Sequence, residues 1–134
     1  MRRFLLDGAL VSRDWAEAEV AASDRLFAAL GVGLWLVAEA AGGPAIGFSG
    51  FRIFEEVEPA PQLLYALVEA RTGRGYATEM ARALVGCARE VGLSPVRAGV
   101  DAVNLASVRV LEKVGFERAG EVTGAFGPLW LYQQ

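Results

Sequence analysis

Apolar and polar positions over residues 77–91 repeat with the period of a helix. Ala77, Met80, Ala81, Leu84, Val85 and Ala88 fall at i, i+3, i+4, i+7, i+8 and i+11, forming one apolar stripe. Thr78, Glu79, Arg82, Arg89 and Glu90 lie off it, Gly92 stops the helix, and Pro95 prevents its resumption. A second helix is predicted over 12–30, with Ser12 as N-cap, Asp14 and Glu17 near its positive end, and Gly31 as its stop. Between the helices, Leu34 to Glu39 and Ala45 to Phe54 read as two strands of a hairpin, with a turn from Ala40 to Pro44. Gly47 and Gly50 mark a bulge or close packing in the second of them. The acidic, proline-containing segment 55–61 is a loop, and the apolar run Leu63 to Val68 is the next strand. After the helix, Val96 to Val100 alternates as a strand, and Asn104 caps a short helix over 105–113 that ends near Lys113 and Gly115. Phe116 to Val122 and Leu129 to Tyr132 close the chain as strands around a glycine-rich connection. Adjacent strands early and helix-separated strands later predict an α/β fold with a mixed sheet, antiparallel on its N-terminal side, with a parallel element after helix 77–91.

The order strand, glycine loop, helix at 63–79 has a chemical meaning. Gly73 and Gly75 let the backbone turn sharply and approach a ligand closely. A helix start leaves N–H groups without intrahelical partners, and with the dipole these favour a phosphate. Arg71 and Arg74 add positive charge beside residues 72–78. The same features also serve a plain strand-to-helix turn.

Composition narrows the chemistry. At 134 residues the chain is read as one domain, large enough to bury a core. Although 54% of its residues are hydrophobic, no apolar run reaches about 18 residues. Asp7 interrupts the N-terminal apolar patch, which speaks against a secretory signal. A net charge of −3 argues against a nucleic-acid surface, and no membrane partner is indicated. The lone cysteine excludes an internal disulfide and suits a reducing cytoplasm. Histidine is absent, which removes His-based triads and His-containing metal sites, and no metal is expected. A general base must then be a carboxylate, a tyrosine, the cysteine or water. Cys87 beside the apolar stripe reads as a small core residue rather than a nucleophile.

Two motifs, TGRGYATE at 72–79 and NLASVRVLEKVGF at 104–116, together resemble the GNAT acetyltransferase superfamily. Their wording is similar to the branch that acetylates protein N-termini, including those of ribosomal proteins. The resemblance covers roughly residues 12–134 and implies a mixed, mostly antiparallel central sheet with a parallel central pair and helices on both faces. It implies acetyl-CoA as donor, its pyrophosphate on the amides of Gly73, Arg74, Gly75, Tyr76, Ala77 and Thr78, with Arg71 nearby. Its pantetheine arm would pair with backbone near Leu67 and Val68, where the strand and its parallel neighbour splay apart. Asn104 and Ser107 occupy the motif's cofactor-facing positions, although both also read as ordinary helix-start residues. Thr72 replaces the family's usual Gln or Arg, which shifts the holding of the phosphate to backbone N–H groups.

Acetyl transfer needs a neutral amine, a stabilised thioester oxygen and a tolerated thiolate. A strand N–H near Leu67 meets the second need. The tyrosine that the family often supplies for the third is Leu111 here, and Ser107 is the substitute candidate. Glu55 or Glu56 is expected as base, acting directly or through water, and direct transfer in a ternary complex is favoured over an acyl-enzyme. The acceptor is expected to be a small-molecule amine or a peptide N-terminus. Trp15, Trp35 and Trp130 read as core or interface residues, and the resemblance places Trp15 or Phe27 near the acceptor. Family domains also open with a strand and helix that are missing before Arg2, so the single domain reads as N-terminally truncated. Strand 34–39 would then be an open edge, predicting a homodimer or strand exchange. A catalytically weak or inactive acyl-CoA-binding module of the same fold is the competing reading. A dinucleotide fold lacks its third glycine, and a phosphate-binding loop of the Gly-Lys-Ser/Thr kind is absent.

Overall fold

The computed structural model describes residues 12–55 and 57–134. Helix α1 spans Arg13–Leu30. The Ser12 hydroxyl accepts the Trp15 N–H at 3.1 Å, and Gly31, at φ 78°, sends its N–H back to the Phe27 carbonyl. Both ends are therefore closed as their residue types predict. Strands β1 (Leu34–Ala38), β2 (Ala45–Ile53) and β3 (Pro61–Leu67) follow as an antiparallel meander. Then come α2 (Tyr76–Glu90), β4 (Arg97–Asp101), α3 (Leu105–Val114), β5 (Glu117–Gly124) and β6 (Gly127–Gln133).

The six strands form one sheet in the order β1-β2-β3-β4-β6-β5. Every neighbouring pair is antiparallel except β3 and β4. The expected mixed α/β sheet with a parallel central pair is present.

The main core cluster gathers Phe51, Leu63, Leu84, Val85, Ala88, Val96, Val100 and Leu111 with their neighbours. The α2 stripe buries Met80, Ala81, Leu84, Val85 and Ala88, as the periodicity predicts, and the last three join this cluster. Helix α1 is held differently. None of its residues is fully buried, but Leu26 packs against the main cluster, and polar links also attach the helix to the sheet. Arg52 on β2 donates to both Glu19 carboxylate oxygens at 2.7 and 2.8 Å, and the Ser23 hydroxyl accepts the Leu34 N–H.

Close packing, not propensity, explains the glycines of β2. A side chain at Gly47 would place its Cβ 2.0 Å from the Ala66 carbonyl oxygen. At Gly50, with φ 148°, the Cβ would lie 1.9 Å from that of Gly33. The β1–β2 register slips between Val37 and Ala38, one strand across from Gly47. Cys87 is half-buried rather than a core residue. Trp35 lies on edge strand β1, packed edge-on against Phe27 at 4.9 Å. Among the described residues no helix is long and apolar enough to cross a membrane.

Candidate active site

The parallel pair β3–β4 joins at one register position, Gln62 opposite Arg97, at the start of both strands. Beyond it the two strands share no register pair, so they part toward their C-terminal ends, and the gap between them is the candidate cleft. Open α/β sheets take ligands outside the carboxyl ends of their strands. Both strands lead to a helix that starts at the mouth of this cleft, β3 to α2 and β4 to α3.

On β3, the Val68 N–H is spent on the Ile46 carbonyl at 2.8 Å, and the Val68 carbonyl accepts the Arg71 N–H at 2.9 Å. Backbone groups alternate sides along a strand. Leu67 and Tyr65 therefore turn their N–H groups toward the cleft. Of the two expected backbone partners on this strand, Leu67 faces the opening, and Val68 is tied into the ladder and the following turn.

The α2 wall is built from backbone. Residues Glu69–Arg71 form a short 3-10 turn. Thr72 closes it, its hydroxyl donating to the Glu69 carbonyl at 2.8 Å. The side chain that departs from the family pattern thus serves the loop itself. Gly73 and Gly75 hold φ of 73° and 81°, which favours glycine, and a Cβ built on either meets nothing within 4 Å. Gly75 is the N-cap of α2 and brings no capping side chain. The Glu79 N–H donates to the Gly75 carbonyl at 3.1 Å as the first helical bond. The N–H groups of Tyr76, Ala77 and Thr78 thus precede the helical ladder and project toward the loop's open side. Arg74 is exposed beside them.

A long-range contact pairs part of the charge here. Glu39, just past β1, accepts from the Arg71 guanidinium and from the Tyr76 hydroxyl, the latter at 3.0 Å. These two hydrogen bonds, Arg71 first, hold its carboxyl below the usual glutamate range. The Arg71 side chain, expected to face the phosphate, is paired with this carboxylate.

The α3 wall is built from side chains. Asn104 caps the helix, its Oδ1 accepting the Ser107 N–H at 3.3 Å. Ser107 Oγ lies 2.7 Å from the Tyr65 hydroxyl, which reaches across from β3. Burial pushes the Tyr65 phenol's pKa up, and the Ser107 bond opposes this in part. Leu111, at the position of the family's tyrosine, is 2% exposed and sits in the core.

Leu67 at the end of β3, Gly73 to Thr78 at the start of α2, and Asn104 and Ser107 at the start of α3 thus all lie toward the C-terminal ends of the parallel pair. Glu55 does not join them. It lines a groove of about 530 Å³ formed by α1, β1 and β2, together with Glu19, Arg25, Leu26 and Arg52. Glu56, the other candidate base, lies outside the described residues. Sequence motifs alone do not single out Tyr65 or Glu39. The signal for Tyr65 was available: a hydroxyl in an otherwise apolar strand needs a partner when buried.

A family model described as an acetyltransferase (GNAT) domain matches residues 2–117. The Bacillus subtilis protein named "Probable N-acetyltransferase YjcK" is 46% identical over 57 residues, a stretch that covers 42% of this chain and 32% of that protein. The alignment thus spans about a third of the curated relative's length. Among solved structures, a GnaT-family acetyltransferase from Bordetella pertussis shares 25% identity and superposes with a TM-score of 0.83, covering 92% of this chain and 78% of its own. The Salmonella typhimurium acetyltransferase yncA, solved with its cofactor acetyl-CoA, shares 23% identity at a TM-score of 0.71, covering 95% and 75%. A ribosomal-protein-alanine N-acetyltransferase from Brucella melitensis shares 23% identity at a TM-score of 0.74, covering 94% and 80%.

Proposed function

The chain belongs to the GNAT acetyltransferase family, and from that premise we propose that it moves an acetyl group from acetyl-CoA to a primary amine by direct attack in a ternary complex. The observation that carries this reading is the parting of β3 from β4 beside the uncapped start of α2. Acetyl-CoA supplies the activated thioester. The amides of residues 73–78 would hold its pyrophosphate, because unpartnered N–H groups at a helix start favour an anion. The Leu67 N–H, turned into the cleft, would donate to the thioester oxygen as negative charge develops on it. Ser107 would donate to the departing sulfur, and Asn104 fixes the first turn of α3 that presents it.

Glu55 or Glu56 would draw in a cationic amine and take up its proton, directly or through water. The groove that Glu55 lines would be the acceptor side, with a small-molecule amine or a peptide N-terminus as acceptor. The name of the Brucella relative supports a peptide N-terminus. A cytoplasmic setting suits the lone half-buried thiol. We also propose a homodimer through the β1 edge, where Leu36 is 81% exposed. Sedimentation of wild type against Leu36→Lys tests it, and a wild type that is strictly monomeric removes it.

The central experiment is titration with acetyl-CoA, followed by an amine panel read through release of free thiol. Absence of binding overturns the reading. Undiminished turnover after Glu55→Gln and Glu56→Gln together removes the carboxylate base. The buried Leu111 keeps a second reading in view: an acyl-CoA-binding module that binds without releasing thiol with any amine.

A further inference from the structure

We infer that Tyr65 is the positioning residue of the leaving-group step, its phenol fixing Ser107 so that the serine hydroxyl points at the sulfur. This rests on the acetyl-transfer reading above and adds to it a residue from a different element, β3.

Tyr65 packs against the main core cluster and also against the smaller cluster of Ile46, Leu67 and Met80. It therefore occupies the line where β3 leaves β4 and the apolar interior divides. From there its hydroxyl crosses to α3. The contact to Ser107 Oγ is 2.7 Å, and that to the Ser107 carbonyl is 3.4 Å. The Ser107 N–H is already held by Asn104. Ser107 is thus fixed at its amide by one neighbour and at its hydroxyl by another.

The polarity of the short bond follows from donor counts. A hydroxyl carries one donor hydrogen and two acceptor lone pairs. If Ser107 donated to Tyr65, the phenol's own hydrogen would be left with the carbonyl at 3.4 Å, longer than a good O–H···O bond. If the phenol donates to Ser107 Oγ at 2.7 Å, a favourable length, the serine hydrogen is released to point into the cleft. The second arrangement is the better one. Burial raises the phenol's pKa, so the ring keeps its proton and remains a donor at neutral pH.

In the transfer, the amine nitrogen bonds to the carbonyl carbon, the C–S bond breaks and its electron pair goes to sulfur. The sulfur accepts a hydrogen bond from Ser107 as it acquires charge. The surplus amine proton leaves through the carboxylate base or solvent. Tyr65 gives up no proton at any stage.

Tyr65→Phe tests this, because it keeps the ring that joins the two clusters and removes the hydroxyl alone. With a fixed amine acceptor, Ser107→Ala is expected to lower kcat about 100-fold and Tyr65→Phe about tenfold. The KM for acetyl-CoA should stay within about twofold in both, since neither residue holds the phosphates. The double variant should be no slower than Ser107→Ala, because Tyr65 acts through the serine. Ser107→Thr, which retains a hydroxyl, should keep most of the activity when Tyr65 is present and fall about tenfold when combined with Tyr65→Phe. An unchanged kcat in Tyr65→Phe overturns the assignment, as does a double variant whose loss is the product of the two single losses. Full activity in Ser107→Ala overturns both the serine donor and its positioning. A wild type that binds acetyl-CoA but releases no thiol overturns the acetyl-transfer reading and this inference with it.

Discussion

Helices α2 and α3 both begin at the mouth of the cleft, α2 on Gly75 with no side chain over its amides, α3 on Asn104 with a side-chain oxygen on the Ser107 N–H. The first terminus keeps its donors for a ligand. The second has committed a donor to itself and offers a hydroxyl instead. A helix dipole acts at both ends alike, so the difference lies in capping chemistry. Under the proposed function, the phosphate would go to α2 and the reacting end of the thioester to α3. Capping also separates what each region contributes. Backbone amides would bind whatever side chains surround them, whereas the proposed role of Ser107 depends on the hydrogen bonds to Tyr65 and Asn104.

The largest effect is expected from closing the open terminus. Asp tolerates the left-handed conformation of Gly75 better than most residues. Gly75→Asp would place a carboxylate where the pyrophosphate belongs. Its Kd for acetyl-CoA should rise about 100-fold, equivalent to about 2.7 kcal/mol, with circular dichroism unchanged. An unaltered Kd would place the phosphate elsewhere.

Opening the closed terminus should act on stability and turnover instead. Asn104→Ala removes the cap, which is worth about 1 kcal/mol. A fall in Tm of about 4 °C follows for a chain of this size. Calorimetry should show that loss, and kcat should fall while the Kd for acetyl-CoA stays within about twofold. A large change in Kd would erase the distinction between the two helices.

The smallest effect belongs to the pairing of Glu39 with Arg71 and Tyr76. Glu39→Gln frees Arg71 for an anion and should tighten acetyl-CoA binding about twofold at low salt, an exposed ion pair being worth little. High salt should remove the gain. A carboxylate whose folded pKa is depressed stabilises above its unfolded pKa and loses that contribution as pH falls through the folded value. The Tm difference between wild type and Glu39→Gln should therefore be present at neutral pH and close as pH drops through and below the glutamate range. A difference that persists in acid would show that the charge is irrelevant.

Local chemistry made much of this readable in the chain. The stripe from Met80 to Ala88 is the buried face of α2, and Ser12, Gly31 and Asn104 cap where their residue types direct. The departures have non-local causes. Helix α2 begins at Tyr76 rather than Ala77; the Tyr76 ring packs against the smaller apolar cluster while its hydroxyl donates to Glu39, 37 residues earlier. Strand β3 begins at Pro61 rather than Leu63. Pro61 pairs with Ile53, and Gln62 is 2% exposed yet satisfied through the Glu58 carboxylate. Strand β6 begins at Gly127 because Gly124 and Gly127 already face each other across the turn. The Tyr65–Ser107 contact spans 42 residues and exists only once β3, β4 and α3 are assembled. Periodicity finds faces, and motif spacing finds the α2 loop. Neither shows which hydroxyl meets which across a cleft.

The division of the interior at Tyr65 also bears on how the molecule breathes. The cluster of Ile46, Leu67 and Met80 is small, and its link to the larger one includes a single ring. Among the described residues Tyr65 is the side chain common to both, and a junction of this kind can open as a cooperative seam. In native-state hydrogen exchange, amides around Ile46 and Met80 should open together and earlier than those of Val96 to Val100. A molecule seated between β3 and β4 would bridge the seam and raise protection on both sides of it, so that the two units exchange as one.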